Sequence, residues 1–132
     1  MIAYAPHTLV VHHSAGLQNF EGIRASHISG NYEEIAYNAV IERDGTVRWG
    51  RPLGTKPAAN AGQNSGTAAV CVVGWNGNAD RPEWRWTDAQ ISALSRFLVG
   101  FRLLYPGAKV IGHRDLKATD CPGLEIRDLL GE

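Results

Sequence analysis

The sequence has little of what a disulfide scaffold, a membrane span or a strongly charged binding surface requires. Its 2 cysteines among 132 residues are too few for a disulfide framework. Nowhere do about 20 apolar residues follow one another, the length needed to cross a bilayer. The 13 basic and 13 acidic residues cancel, so no net field attracts nucleic acid or an anionic membrane. We therefore expect no nucleic-acid partner and no membrane insertion.

The opening segment also lacks an export signal. MIAYAPHTLVV has no basic region, and its apolar run is too short for the hydrophobic part of a signal peptide. We expect synthesis in the cytoplasm without a leader. The composition, 44% hydrophobic and 20% charged, is that of an ordinary globular protein. The length suits one monomeric domain spanning residues 1–132.

Strand and helix signals alternate along the chain. Apolar runs predict buried strands over residues 9–11, 68–73 and 110–111. Helical spacing and capping signals predict helices over residues 19–27, 87–105 and 124–130. The Gly-, Pro- and Asn-rich stretch 52–67 predicts a loop. This order predicts an α/β fold, a single domain with a central mixed β-sheet flanked by helices.

The segment YNAVIERDGTVRWGR carries the clearest β-hairpin signal. Two β-favouring runs flank Asp44-Gly45, a pair that suits a two-residue type I′ turn. Strict alternation would place Tyr37, Ala39 and Ile41 on one face of the hairpin.

The longest predicted helix has a complete start signal. Thr87 is the predicted N-cap, Gln90 completes a capping box, and Trp86 and Ile91 form a hydrophobic staple. The helix should end before Pro106-Gly107. Its apolar face is predicted to comprise Ile91, Leu94, Leu98 and Phe101, widened by Phe97 and Leu104.

Candidate metal ligands stand at two predicted strand ends and in one loop. His12 or His13 ends the first strand, His113 follows the last strand, and Cys121 lies eight positions later in GHRDLKATDCPG. Catalytic zinc uses three such ligands and keeps a fourth position open for water. The strong zinc motifs CxxC and HExxH are absent. Spacing alone therefore leaves a zinc site and an accidental grouping equally open.

Two other interpretations of these residues remain at this point. Cys121 could be a thiol nucleophile activated by His113, as in a cysteine hydrolase, although this leaves His12 without a role. Asp115 and Asp120 could orient a ligating imidazole, but either could equally cap a turn.

Four segments together resemble a known family. LVVHHSAG, IAYNAVIERDGTVRWGRP, NAGQNSGTAAVCVVGW and IGHRDLKATDCPG match, in order, the blocks of the type 2 N-acetylmuramoyl-L-alanine amidases. This group includes phage amidase lysozymes and animal peptidoglycan recognition proteins. The resemblance covers residues 9–124. It implies a zinc hydrolase that cleaves the amide between N-acetylmuramic acid and the L-alanine of the stem peptide, with peptidoglycan or a muropeptide as its partner.

The resemblance also implies roles for individual residues. By position, the Zn²⁺ ligands would be His12, His113 and Cys121. The resemblance thus chooses His12 rather than His13. Tyr37 and Thr119 would be catalytic, donating hydrogen bonds to the water or to the developing oxyanion. One departure from the family pattern is Asn60, where many members have a histidine.

The resemblance leaves the biological role open. We expect a phage or prophage endolysin that acts on the cell wall after release. A cytosolic amidase that recycles muropeptides and a non-catalytic peptidoglycan-binding module are the alternatives. Cys121 favours catalysis, because recognition proteins that only bind peptidoglycan lack this cysteine.

Overall fold

The computed structural model describes residues 3–131, so the ends of the predicted domain 1–132, including the first two residues of the opening segment, lie outside the described residues. Five strands form one mixed sheet in the order β3-β2-β4-β1-β5. The β2–β3 pair is antiparallel and the other neighbouring pairs are parallel. The strands are β1 (Thr8–His13), β2 (Ala39–Ile41), β3 (Val47–Trp49), β4 (Thr67–Val72) and β5 (Lys109–Gly112).

Three α-helices accompany the sheet, which confirms the predicted α/β class. They are α1 (Phe20–Ser29), α2 (Asp88–Leu104) and α3 (Ile126–Leu129). The third is shorter than the predicted 124–130, since the Glu125 side chain does not cap it and pairs with Arg114 instead. Within residues 3–131, none of the helices is long and apolar enough to cross a membrane.

The sheet buries apolar side chains on both faces. On one face, α2 packs against alternate residues of β1, β2 and β4, including Leu9, Val11 and Ile41. Thr87 caps α2 through the predicted box with Gln90. Leu104 was predicted to widen the buried face of α2, but it is 67% exposed, because Tyr105 packs on Phe101 and takes that place. A smaller cluster on the opposite face includes Val40 and Cys71.

The hairpin turn differs from the predicted type I′ turn. The Gly45 N–H donates to the Glu42 carbonyl, and the Glu42 N–H donates to the Thr46 carbonyl. Gly45 has a φ of 90°, whereas Asp44 keeps a negative φ. The loop therefore has three residues, a type I turn closed by a glycine in the left-handed region. The Asp44 side chain accepts from the Thr46 N–H at 2.9 Å, which favours this turn.

Tyr37 does not share a face with Ala39 and Ile41, so that prediction is wrong. Those two residues belong to the cluster beneath α2, whereas Tyr37 packs with Val40 on the opposite face. The physical reason is a bend at Asn38, before β2 begins, which interrupts the strand alternation. Tyr37 consequently lies on the face of the sheet that α2 leaves uncovered.

Gln90 is fully buried and should be important for stability. Its Nε2 donates to the carbonyls of Ile41 and Val73 at 3.2 and 2.8 Å. We expect Gln90→Leu to lower the free energy of unfolding by about 2–4 kcal/mol, because each of these carbonyls loses one of its two donors and Gln90 Oε1 no longer accepts from Arg43 and the Thr87 N–H. Urea unfolding of Gln90→Leu and of the exposed control Gln63→Leu measures this difference. Equal stability of the two variants would contradict it.

Candidate metal centre

A groove of about 360 Å³ lies on the sheet face opposite α2, and it brings together the three predicted metal ligands. The ligand atoms of His12, His113 and Cys121 all lie within 4.8 Å of one another. The ring centroids of His12 and His113 are 4.4 Å apart, and Cys121 Sγ is 4.0 Å from His12 Nδ1. His12 and Cys121 are buried, while His113 is half-buried. The cluster therefore forms the floor of an accessible groove.

The structure separates the two adjacent histidines of β1. Successive strand side chains point to opposite faces, so His12 points into the groove. His13 borders the same groove, but its ring centroid lies 6.0 Å from that of Trp75 and outside the cluster of the three predicted ligands. His13 still contributes through its backbone, because its N–H donates to Cys121 Sγ at 3.1 Å.

The surroundings of Cys121 disfavour a free thiolate. Burial raises the pKa of its thiol to about 11, partly offset by the His13 N–H, so the metal-free side chain is protonated near neutrality. A nucleophilic cysteine requires a lowered pKa. A coordinated metal ion instead removes the thiol proton directly. Cys71 and Cys121 are both free.

The two histidines are held in the neutral form that binds metal ions. Burial lowers the pKa of His12 to about 3, although the hydrogen bond with Asn60 opposes this shift. Burial also lowers the pKa of His113, and the nearby positive charge of Lys117 adds to this effect. Neutral imidazole is the ligating form because its unprotonated nitrogen offers a lone pair.

Tyr37 stands beside the cluster as a protonated phenol. Its ring centroid is 5.5 Å from that of His12. Burial raises its pKa well above the usual value, and the neighbouring Cys71 thiol raises it further. The next residue anchors this part of the chain: the Asn38 amide donates to three loop carbonyls at 3.1 to 3.2 Å and accepts from the Ala69 N–H.

The two aspartates near the cluster have different surroundings. Asp115 accepts from the Gly112 N–H at 2.9 Å and so caps the turn that carries His113. Asp120 is exposed, and its charge raises the pKa of His13 while burial lowers it more strongly. Of the two roles considered for Asp115, turn capping is the one that the structure shows.

The segment after His113 brings a cation, Lys117, to the groove, and the sequence motifs did not identify it. Thr119 Oγ1 accepts from the Cys121 N–H at 3.3 Å, so its hydroxyl lies against the backbone of that residue. Of the described residues in this segment, His113, Lys117 and Cys121 line the groove. Lys117, two positions before Thr119, therefore brings a positive charge to the groove.

Two further groove features were also missing from the sequence-based site. The His27 ring lines the groove with its centroid 5.7 Å from that of Tyr37, and its Nδ1 accepts from the Ala36 N–H. Asn60, which the sequence marked only as a departure from a family pattern, contacts His12 at 2.7 Å. A histidine within α1 and an asparagine in a polar loop carry no local signal of either contact.

Comparisons with known proteins identify the family and the fold. The family model for N-acetylmuramoyl-L-alanine amidase matches residues 3–124. The endolysin of Klebsiella phage KP32 is 33% identical over 105 residues, which cover 80% of this chain and 70% of that protein. The solved structure of the Ph2119 endolysin from Thermus scotoductus MAT2119 bacteriophage Ph2119 has a TM-score of 0.84 at 28% identity, covering 96% of this chain and 83% of that one.

A second solved structure shows the same fold at lower identity. The amidase LysC from Clostridium intestinale has a TM-score of 0.85 at 22% identity, covering 97% of this chain and 85% of that one. The sheet and its helices thus form an amidase fold. With the family model matching nearly its whole length, the chain belongs to the N-acetylmuramoyl-L-alanine amidase family.

Proposed function

We propose that the chain is a zinc-dependent peptidoglycan amidase, with His12, His113 and Cys121 as its metal ligands. The proposal rests chiefly on the convergence of these three donors on one groove. Two imidazoles and one thiol form a donor set that suits zinc. Three protein donors facing a groove also match the catalytic type of zinc site, in which one position is left for water. The hydrolysed bond would be the amide between N-acetylmuramic acid and L-alanine.

The side chains around the ligands fit hydrolysis of an amide. Bound zinc would supply a Lewis acid and would lower the pKa of water toward about 7. Tyr37 would donate its phenolic hydrogen to the carbonyl oxygen as negative charge develops there. The Thr119 hydroxyl would be a second donor. Lys117 also lines the groove, where its positive charge would favour the developing oxyanion.

We further propose that the protein acts as a phage or prophage endolysin. The phage relatives named above are endolysins. In this role residues 1–132 form one monomeric amidase domain that is made in the cytoplasm and reaches the peptidoglycan after release. A muropeptide-recycling amidase would instead act only on soluble wall fragments.

Mass spectrometry of peptidoglycan digests tests the reaction. Purified sacculi are incubated with the protein as prepared, with chelator-treated protein, and with treated protein after zinc add-back. We expect free stem peptides beginning with L-alanine in the first and third samples and none in the second. Intact links in the zinc-loaded sample would identify a binding module. Cleavage that survives chelation but stops on thiol alkylation would identify a cysteine hydrolase.

The same assay separates the two enzymatic roles. Rates are compared on intact sacculi and on soluble muropeptides that carry the same stem peptide. An endolysin should release peptides from both substrates. Release from the soluble fragments alone would exclude the endolysin role while leaving the amidase chemistry in place.

A further inference from the structure

Asn60 is a buried amide at the back of the groove, and its surroundings fix the direction in which it faces. The residue is 1% exposed and lies in the long loop before β4. Its Oδ1 is 2.7 Å from His12 Nε2, and its Nδ2 is 2.9 Å from Thr67 Oγ1. The amide thus connects a proposed metal ligand to a threonine hydroxyl.

The hydroxyl of Thr67 determines which end of the Asn60 amide faces His12. Thr67 Oγ1 is 2.8 Å from the Asn64 carbonyl oxygen. The Gln63 carbonyl oxygen is also within reach, at 3.2 Å. A carbonyl oxygen can only accept, so the single hydroxyl hydrogen of Thr67 is donated to one of these two. Thr67 Oγ1 can then only accept from Asn60, which requires Nδ2 on that side. A flipped amide would place two acceptors against each other.

The backbone around Asn60 reinforces this arrangement. Its N–H donates to the Asn64 side-chain oxygen at 2.8 Å, and its carbonyl accepts from the Gln63 N–H at 2.7 Å. The side chain therefore starts from a fixed main chain. The hydrogen bonds that Asn60 makes within this loop therefore hold its amide against His12 Nε2.

This arrangement decides which nitrogen of His12 carries the hydrogen. Asn60 Oδ1 can only accept, so His12 Nε2 must be the donor. A neutral imidazole has one N–H, which leaves a lone pair on Nδ1. Nδ1 is also the atom 4.0 Å from Cys121 Sγ, on the side of the proposed metal.

We propose that Asn60 is a positioning residue, which holds His12 in its Nε2–H tautomer and directs the Nδ1 lone pair at the metal position. This inference rests on the proposed function, because His12, the residue that Asn60 would position, is a ligand of the proposed zinc site. Partners of this kind fix both the orientation and the tautomer of a ligating histidine.

Long-range ¹H–¹⁵N correlation NMR of histidine-labelled, zinc-free protein at pH 8 tests the tautomer directly. We expect the wild-type His12 to carry its hydrogen on Nε2, and Asn60→Ala to show both tautomers. Competition with a chromophoric chelator should then show a loss of zinc affinity of about 10- to 100-fold in Asn60→Ala. In Asn60→Asp one carboxylate oxygen still accepts from His12 Nε2 and the Thr67 hydroxyl can turn to donate to the other, since the Asn64 carbonyl keeps the Thr67 N–H as a donor. This variant should retain the tautomer and most of the affinity. Gln63→Ala, an exposed amide in the same loop, should change neither.

The outcomes distinguish this inference from the function on which it rests. An Nδ1–H tautomer in a wild-type protein that binds zinc overturns the role of Asn60 and leaves the zinc site standing. Unchanged tautomer and affinity in folded Asn60→Ala do the same. An Nε2–H tautomer in a wild-type protein that binds no zinc overturns the zinc site itself. The wild-type spectrum tests the tautomer even if Asn60→Ala does not fold.

Discussion

Replacing Cys121 with serine should remove zinc from the protein and reduce amide hydrolysis by about 10³-fold or more. The substitution keeps the shape of the side chain but replaces a ligating thiolate with a hydroxyl that stays protonated near neutrality. A metal contributes several kcal/mol to transition-state stabilisation, and about 1.4 kcal/mol corresponds to a tenfold change in rate. Zinc content by elemental mass spectrometry and kcat/KM on a muropeptide give the two quantities.

Cys71→Ala is the matched control for this experiment, because it removes the other thiol of the chain. Cys71 is fully buried in β4, and it belongs to the packing cluster beneath α1. We expect the variant to be less stable but to keep its zinc. If Cys121→Ser keeps its zinc but loses activity, Cys121 is a thiol nucleophile rather than a metal ligand. If the variant keeps both zinc and activity, Cys121 has no role in the site.

Much of the fold could be predicted from the sequence, since the buried strands and the two longer helices have strong local signals. The apolar runs leading into His12 and preceding His113 predicted two strands, which the structure places side by side in the sheet. The hairpin was also predicted, but not its turn, because Asp-Gly suits both two- and three-residue loops. The side chain of Asp44 selects between them by bonding the Thr46 N–H.

The choice between His12 and His13 shows where strand patterns lose information. β1 lies between β4 and β5 with apolar residues on both faces, so alternation of polar and apolar residues is absent. Only the position of α2 establishes that Leu9 and Val11 lie on the face opposite the groove. The family resemblance made the same choice by position, without that physical reason.

The contacts around the proposed ligands could not be read from the sequence. Asn60 reaches His12 across 48 positions of the chain, and no periodicity links a loop asparagine to a strand histidine. Lys117 was missed for a different reason: the family pattern drew attention to Thr119, two residues later. In both cases tertiary packing, rather than local sequence, brings the group to the groove.

Tyr37→Phe should have the converse effect to the cysteine variant, with zinc retained and kcat reduced by about 10²- to 10³-fold. The magnitude is that of removing one donor to an oxyanion. The ring packing with His12 and His27 is preserved, since phenylalanine lacks only the hydroxyl. Zinc content and steady-state kinetics on a muropeptide separate this result from loss of the metal. Because an oxyanion exists only after attack on the carbonyl, kcat should fall more than KM rises.

The pH profile provides an independent check on Tyr37. Burial holds its pKa well above the usual value, so a donating phenol should cause no loss of rate below about pH 10. Tyr105→Phe, a packing tyrosine beside Phe101, is the matched control and should keep wild-type kinetics. Tyr37→Phe could instead turn over as fast as Tyr105→Phe at equal zinc content. The phenol would then only line the groove, and stabilisation of the oxyanion would have to come from Thr119 or Lys117.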